Sequence, residues 1–325
     1  MCSEKGQLPA VSENGCGAGP PLHSPMLKSG GIPRATSYVI LSSLCFGAIS
    51  VLTLLASRAG VSLVDAMAWR YLLAIVVVGI AGSVKQVRAT PVSRALTLVV
   101  IGGGGQALLT FTSLSALEFI PVATLAFLFY TYPAWVALLS AVTGAERLTR
   151  WRVAALILAL AGVTIMVGTP GSGTLNGKGV ALALGSSLLY AVYLPVLRKI
   201  QRDIPPNTAA FFLIIGAAIF FVVAALIKGG LPIPATTDAR VEIALLAIVC
   251  TGIAFTALMA GLSILGPVRT AIIATVEPFF TAVLGVLVLK DHLRMATIAG
   301  GVLIILAVVL IEWSSNTRRD ALASG

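Results

Sequence analysis

The sequence predicts an all-α membrane protein of ten transmembrane helices, arranged as two inverted five-helix repeats around a central cavity. Three observations predict it. The chain of 325 residues is 58% hydrophobic and only 10% charged, with a mean hydropathy of +1.01, a balance foreign to water-soluble domains. Between Thr36 and Trp313 its apolar residues fall into ten runs of about 17–23 residues, each ended by a short polar or Gly/Pro break. A run of that length crosses a hydrocarbon core of roughly 30 Å as a helix rising 1.5 Å per residue. Finally, the second half of the chain echoes the first.

The predicted spans are 36–56, 65–83, 95–116, 121–142, 152–168, 179–197, 207–227, 241–262, 267–289 and 295–313. The first follows a Gly-, Pro- and Ser-rich stretch, residues 1–35, that lacks the apolar core of a signal peptide and reads as a disordered tail. Residues 314–325 read as a second tail. An even number of spans places both termini on one side, and Lys and Arg choose that side. With cytoplasmic termini, 15 basic residues lie inside, among them Arg34, Lys85, Arg147, Arg150, Arg152, Arg198 and Arg269. Six lie outside: Arg58, Lys178, Lys228, Arg240, Lys290 and Arg294. Arg70 falls within a span. The net charge of +10 therefore reads as loop charge that orients helices, not as a nucleic-acid surface.

The echo has an offset of about 145 residues. Ser42-Ser43-Leu44 matches Ser186-Ser187-Leu188, Pro121-Val122 matches Pro267-Val268, Pro133 matches Pro278, and Glu146-Arg147-Leu148 matches Asp291-His292-Leu293. The units are 36–170 and 178–313, each with five spans. An odd number inserts the second copy from the opposite side, an arrangement typical of secondary transporters. It points to alternating access rather than to a static pore.

Trp69-Arg70-Tyr71 at the second span, Tyr132-Pro133 in the fourth, Glu277-Pro278 in the ninth and the acid-x-Leu after each of these last two resemble the EamA group of the drug/metabolite transporter superfamily. The resemblance covers about 36–313. It implies a two-bundle, ten-helix fold with a central cavity. It also implies export or exchange of amino acids and other small metabolites across a bacterial plasma (inner) membrane. Ile214 stands where the first copy has Arg70, so this arginine is not part of the repeat. The spans lack the cluster of Lys and Arg that marks the related sugar-phosphate translocators, which argues against a phosphorylated substrate.

Polar groups at membrane depth are the candidate site. Glu277 lies ten residues past Pro267, roughly 15 Å along a helix and near the bilayer midplane. An ionisable group there costs at least about 2.5 kcal/mol and should face a cavity or a partner. It reads as a substrate-amine contact or proton site, or else as a cap for backbone freed by Pro278. Tyr132 is its counterpart, and Pro133 and Pro278 should kink their helices. Gln106 follows four glycines, Gly102 to Gly105, that admit close helix approach. Tyr190, Tyr193, Thr251 and Phe255 complete the set, and Gln106, Tyr132, Tyr190, Thr251 and Glu277 share one depth. Arg70 should sit near the outer face, snorkelling to headgroups, binding an anion or pairing with Asp65 or Glu118.

Nothing implies a cofactor or metal. Cys2, Cys16, Cys45 and Cys250 form no CxxC pair, and His23 and His292 fall outside the spans. Gly177-Lys178 has the wrong spacing for a P-loop, and Gly179 replaces its Ser/Thr. Without an ATPase motif, transport must draw on gradients or exchange. An intramembrane enzyme would need a nucleophile or paired acids, and only Glu277 qualifies. The expected partners are a small-molecule substrate and the bilayer; a monomer and a homodimer fit equally. The expected function is a secondary active transporter that exports an amino acid or similar metabolite. The alternative is a multidrug exporter of the same fold taking lipophilic cations.

Overall fold

The computed structural model describes residues 31–82, 84–116, 118–120, 122–146, 148–167, 176–290 and 295–323, and these are helices and short connections with no strand among them. The helices are α1 (Gly31–Arg58), α2 (Leu63–Ala81), α3 (Val84–Ala89), α4 (Val92–Ala116), α5 (Thr124–Val142), α6 (Arg150–Val167), α7 (Gly177–Ile200), α8 (Pro206–Ile227), α9 (Thr237–Leu265), α10 (Pro267–Leu289) and α11 (Met295–Ala323). Eight of them, α1, α2, α4, α5 and α7 to α10, are long and apolar enough to cross a membrane. Each predicted span overlaps one of these helices, the fifth and tenth falling on α6 and α11. The short α3 has no buried residue.

Two boundaries differ from the expectation. Residues 31–35, assigned to the first tail, already belong to α1, and α11 continues through Ala323 beyond the assigned end at 313. Once an apolar helix is nucleated, adding a residue fixes little entropy per new hydrogen bond, so the helix overruns the apolar limit. Cys2, Cys16, His23, Pro121, Arg147 and the acid-x-Leu at 291–293 lie outside the described residues.

The halves interleave. α1 packs on α9 and α10, while its counterpart α7 packs on α4 and α5; α2 packs on α8 and α9, while α8 packs on α2 and α4; α5 meets α10 and α6 pairs with α11. Exchanging every helix for its counterpart leaves this set of contacts unchanged. In lipid the driving force for such contacts is close packing, which needs small residues. A Cβ on Gly103 would stand 2.6 Å from the Leu213 carbonyl oxygen, where α4 crosses α8. One on Gly162 would stand 2.6 Å from the Gly300 carbonyl oxygen, where α6 meets α11. Trp151 closes this second pair edge-on against Trp313, with ring centroids 5.4 Å apart. Ser42 of α1 donates to the Ala254 carbonyl of α9 at 2.9 Å.

Four spans are interrupted at matching places in the two halves, and α10 widens once more at Gly285–Leu289, where α5 does not. α4 widens into a π-type turn at Leu98–Gly103, and α9 does so at Ile248–Ile253. α5 breaks between Phe129 and Tyr132, just before Pro133, and α10 breaks between Ala274 and Glu277, just before Pro278. Proline lacks an N–H and its ring clashes with the carbonyl four residues back, so the break precedes it. The chain tightens there: Thr131 N–H donates to the Leu128 carbonyl and Thr275 N–H to the Ile272 carbonyl.

Candidate functional site

The two proline breaks bring their first residues together. Tyr132 opens the second segment of α5, and Glu277 opens that of α10. A helix start leaves backbone N–H groups unpaired and carries positive partial charge, so it favours a carboxylate. Glu277 is half-buried, and its carboxylate lies near the Tyr130 hydroxyl. Around it stands a set of rings. Tyr132 lies edge-on to Tyr190 of α7 with centroids 4.7 Å apart, Phe129 stacks on Tyr190 at 5.7 Å, and Tyr130 is 6.2 Å from Tyr132. The Tyr132 hydroxyl points to the Ala271 carbonyl at 3.4 Å, one turn before the α10 break. On the α1 side, a Cβ on Gly47 would meet the Glu277 carbonyl oxygen at 3.1 Å, so α1 closes tightly over the backbone there.

Tyr193 continues the aromatic row at 6.3 Å from Tyr190, but its hydroxyl donates to the Gly102 carbonyl of α4 at 2.7 Å. Its ring lies where a side chain on Gly105 would be, 2.8 Å from the Cβ position.

Arg70 forms a second centre. It is 3% exposed, against the expectation of a snorkelling side chain. It pairs with neither expected acid; Asp65 caps the start of α2 with Ser62 instead. Arg70 donates Nε to Thr251 Oγ1 at 2.6 Å and Nη2 to the Cys250 carbonyl at 2.8 Å, with Tyr71 beneath it at 5.2 Å from the ring centroid. The reason is the widened turn of α9, which frees acceptors that an unbroken helix would have used. Thr251 itself donates to the Leu246 carbonyl five residues back, as a π-type turn allows.

Comparison with known proteins identifies this architecture. The EamA-like transporter family matches residues 34–168 and again residues 177–313. The chain belongs to the EamA-like transporter family, and so to the drug/metabolite transporter superfamily. The two matches coincide with the two interleaved halves. Among the solved structures that match, one described only as "Crystal structure of protein" superposes with a TM-score of 0.73 at 20% identity, over 88% of this chain and 98% of its own. That likeness shows the fold alone. Comparison with curated proteins gives no match.

In this EamA-like chain, Glu277, Tyr132 and Tyr190 meet in one place, Tyr193 touches its edge, and Arg70 and Thr251 meet in another. Gln106 and Phe255 have other partners. Gln106 Nε2 reaches Thr110 Oγ1 of its own helix at 3.3 Å, and Phe255 is 2% exposed, edge-on to Phe46 at 5.1 Å. Sharing a depth was not enough, because these side chains leave their helices in other directions. An open cleft of about 560 Å³ lies between α1, α2, α8 and α9, bounded by Tyr38, Val78, Asn207, Gly252 and Thr256. None of the predicted site residues lines it. Sequence reasoning passed over Phe129, Tyr130 and the Cys250 carbonyl. The signal for Tyr130 was present: Tyr130-Thr131-Tyr132-Pro133 places two phenols on either side of a break that turns both inward. Among the described residues, no three His, Cys, Asp or Glu side chains gather as a metal site.

Proposed function

We propose that this EamA-like chain is a secondary active transporter that moves a small amine-bearing metabolite, an amino acid or similar molecule, outward across a bacterial plasma membrane. One observation carries the reading: a carboxylate deep within a span, Glu277, held at a helix break beside Phe129, Tyr130, Tyr132 and Tyr190. A carboxylate attracts an ammonium group directly, and the negative faces of aromatic rings attract it further, by about 0.5–2 kcal/mol each. Intramembrane ionisable groups are costly and are retained where they serve a pathway. Ten spans with cytoplasmic termini, in two inverted halves, supply the motion. When the halves exchange conformations, access to the pocket passes from one membrane face to the other. Glu277 is the substrate or proton contact, and Tyr132 and Tyr190 are walls of the pocket.

The ring count also favours a second substrate class, a lipophilic cation, in a multidrug exporter of the same fold. A thermal-shift screen of the purified protein against amino acids, nucleosides and cationic dyes separates the two, since a ligand that binds the folded state raises its melting point. Proteoliposomes carrying Glu277→Gln should then lose flux of the identified ligand while the protein is recovered folded. Wild-type flux from that variant overturns the reading.

A further inference from the structure

The widened turns of α4 and α9 sit at matching positions, yet they are held by unlike side chains. At the α4 turn, the Gly102 carbonyl takes one hydrogen bond from the neutral Tyr193 hydroxyl of α7, at 2.7 Å. At the α9 turn, Arg70 of α2 donates twice, to the Cys250 carbonyl at 2.8 Å and to the Thr251 hydroxyl at 2.6 Å. Charge-assisted hydrogen bonds are roughly twice as strong as neutral ones, so the second turn is held harder. Neither clamp is copied by the repeat. Ile214, the counterpart of Arg70, is fully buried and has no donor to offer.

The weaker clamp is also the one that touches the pocket. Tyr132, Tyr190 and Tyr193 form a row of rings with successive centroids 4.7 and 6.3 Å apart, and the row ends on Gly102. The stronger clamp is built from α2 and α9, and the ring beneath it, Tyr71, stacks on Phe221 of α8 rather than on a ring of that row. One side of the α4 turn is pressed on α8 at Gly103, but the turn ends in two glycines, Gly102 and Gly103, and is followed by Gly104, beside whose Cβ position no atom stands within 4 Å; glycine costs a helix about 1 kcal/mol relative to alanine.

We propose that the two turns are unequal hinges: the α4 turn, latched by Tyr193, yields when the tyrosine row shifts, and the α9 turn, pinned by Arg70, stays fixed. Tyr193 is thus a positioning residue that links the pocket to the backbone of α4. The link to substrate rests on the transport reading above; the inequality of the hinges does not.

Hydrogen–deuterium exchange of the full chain in lipid nanodiscs, without ligand, tests it, using peptides that cover 97–108 and 246–256. Tyr193→Phe keeps the ring against Gly105 and removes only the hydroxyl. It should speed exchange at 98–106 by about three- to tenfold, the weight of one neutral hydrogen bond, and leave 246–256 unchanged. Tyr190→Ala, which removes the neighbouring ring and not the clamp, should loosen the same peptide. Arg70→Lys should do the reverse, loosening 246–256 alone. The proposal is overturned if Tyr193→Phe leaves 98–106 at the wild-type rate, or if either tyrosine variant loosens both turns equally. Wild-type flux in Glu277→Gln with unequal hinges intact is a failure of the transport reading alone, and loss of flux with the hinges equal is a failure of the hinge proposal alone.

Discussion

Glu277 opens a helix segment inside a span, where lipid leaves a carboxylate few ways to exist. Its nearest phenol by electrostatics is Tyr130, which can donate to it. A hydrogen bond to a charged group is worth about 1.5–3 kcal/mol, so Tyr130→Phe should weaken retention of an amine ligand by about tenfold or more while the ring stays in place. Titration of the ligand identified by thermal shift measures this directly, and an unchanged affinity refutes the assignment of Tyr130 to the pocket. Arg70 is the opposite case, a buried cation held by the Thr251 hydroxyl and the Cys250 carbonyl. Arg70→Lys keeps the charge and loses the fork that reaches two acceptors at once. The apparent melting temperature should fall by several degrees, at a cost of about 2 kcal/mol, with ligand affinity little altered. Arg70 had looked like an outer-face residue because depth was counted along α2 alone. Nothing in that count reveals that α9 widens opposite it.

At the scale of helices, the run Gly102 to Gly105 shows how position on a surface overrides composition. These glycines are consecutive, but α8 presses only on one side of α4. Gly103→Ala puts a Cβ 2.6 Å from the Leu213 carbonyl oxygen and should cost about 1–3 kcal/mol, seen as a loss of folded protein in detergent extracts. Gly104→Ala meets no atom within 4 Å and should be neutral or mildly stabilising. Equal yields from the two variants would disprove the close crossing of α4 and α8. The proline breaks at Pro133 and Pro278 were legible in sequence, since proline removes a specific hydrogen bond wherever it falls. The widened turns at Leu98–Gly103 and Ile248–Ile253 were not, because an extra residue in a helical turn leaves no residue-type signature.

For the whole molecule, two matched halves pack through each other rather than side by side, so neither buries its small-residue faces without its partner. Expressed alone, residues 31–167 should therefore fail to give a monodisperse protein in detergent, and size-exclusion chromatography checks this. Orientation is the other property at this scale. The excess of Lys and Arg on one side predicts that a fluorescent protein fused after Gly325 stays cytoplasmic. A fusion accessible from the opposite face reverses the topology.

Length and polarity by themselves determined that this chain spans a membrane many times, where its helices run, and that it is built as a duplicated unit. Those properties follow from the fixed thickness of a bilayer and from the need of every backbone group in lipid for a partner within its own helix. Which polar groups meet was decided only in three dimensions. Glu277 with Tyr130, and Arg70 with Thr251, depend on the rotation of each helix about its axis and on where its turns widen or break. Rotation and turn geometry are set by helix against helix, a contact that no single span contains.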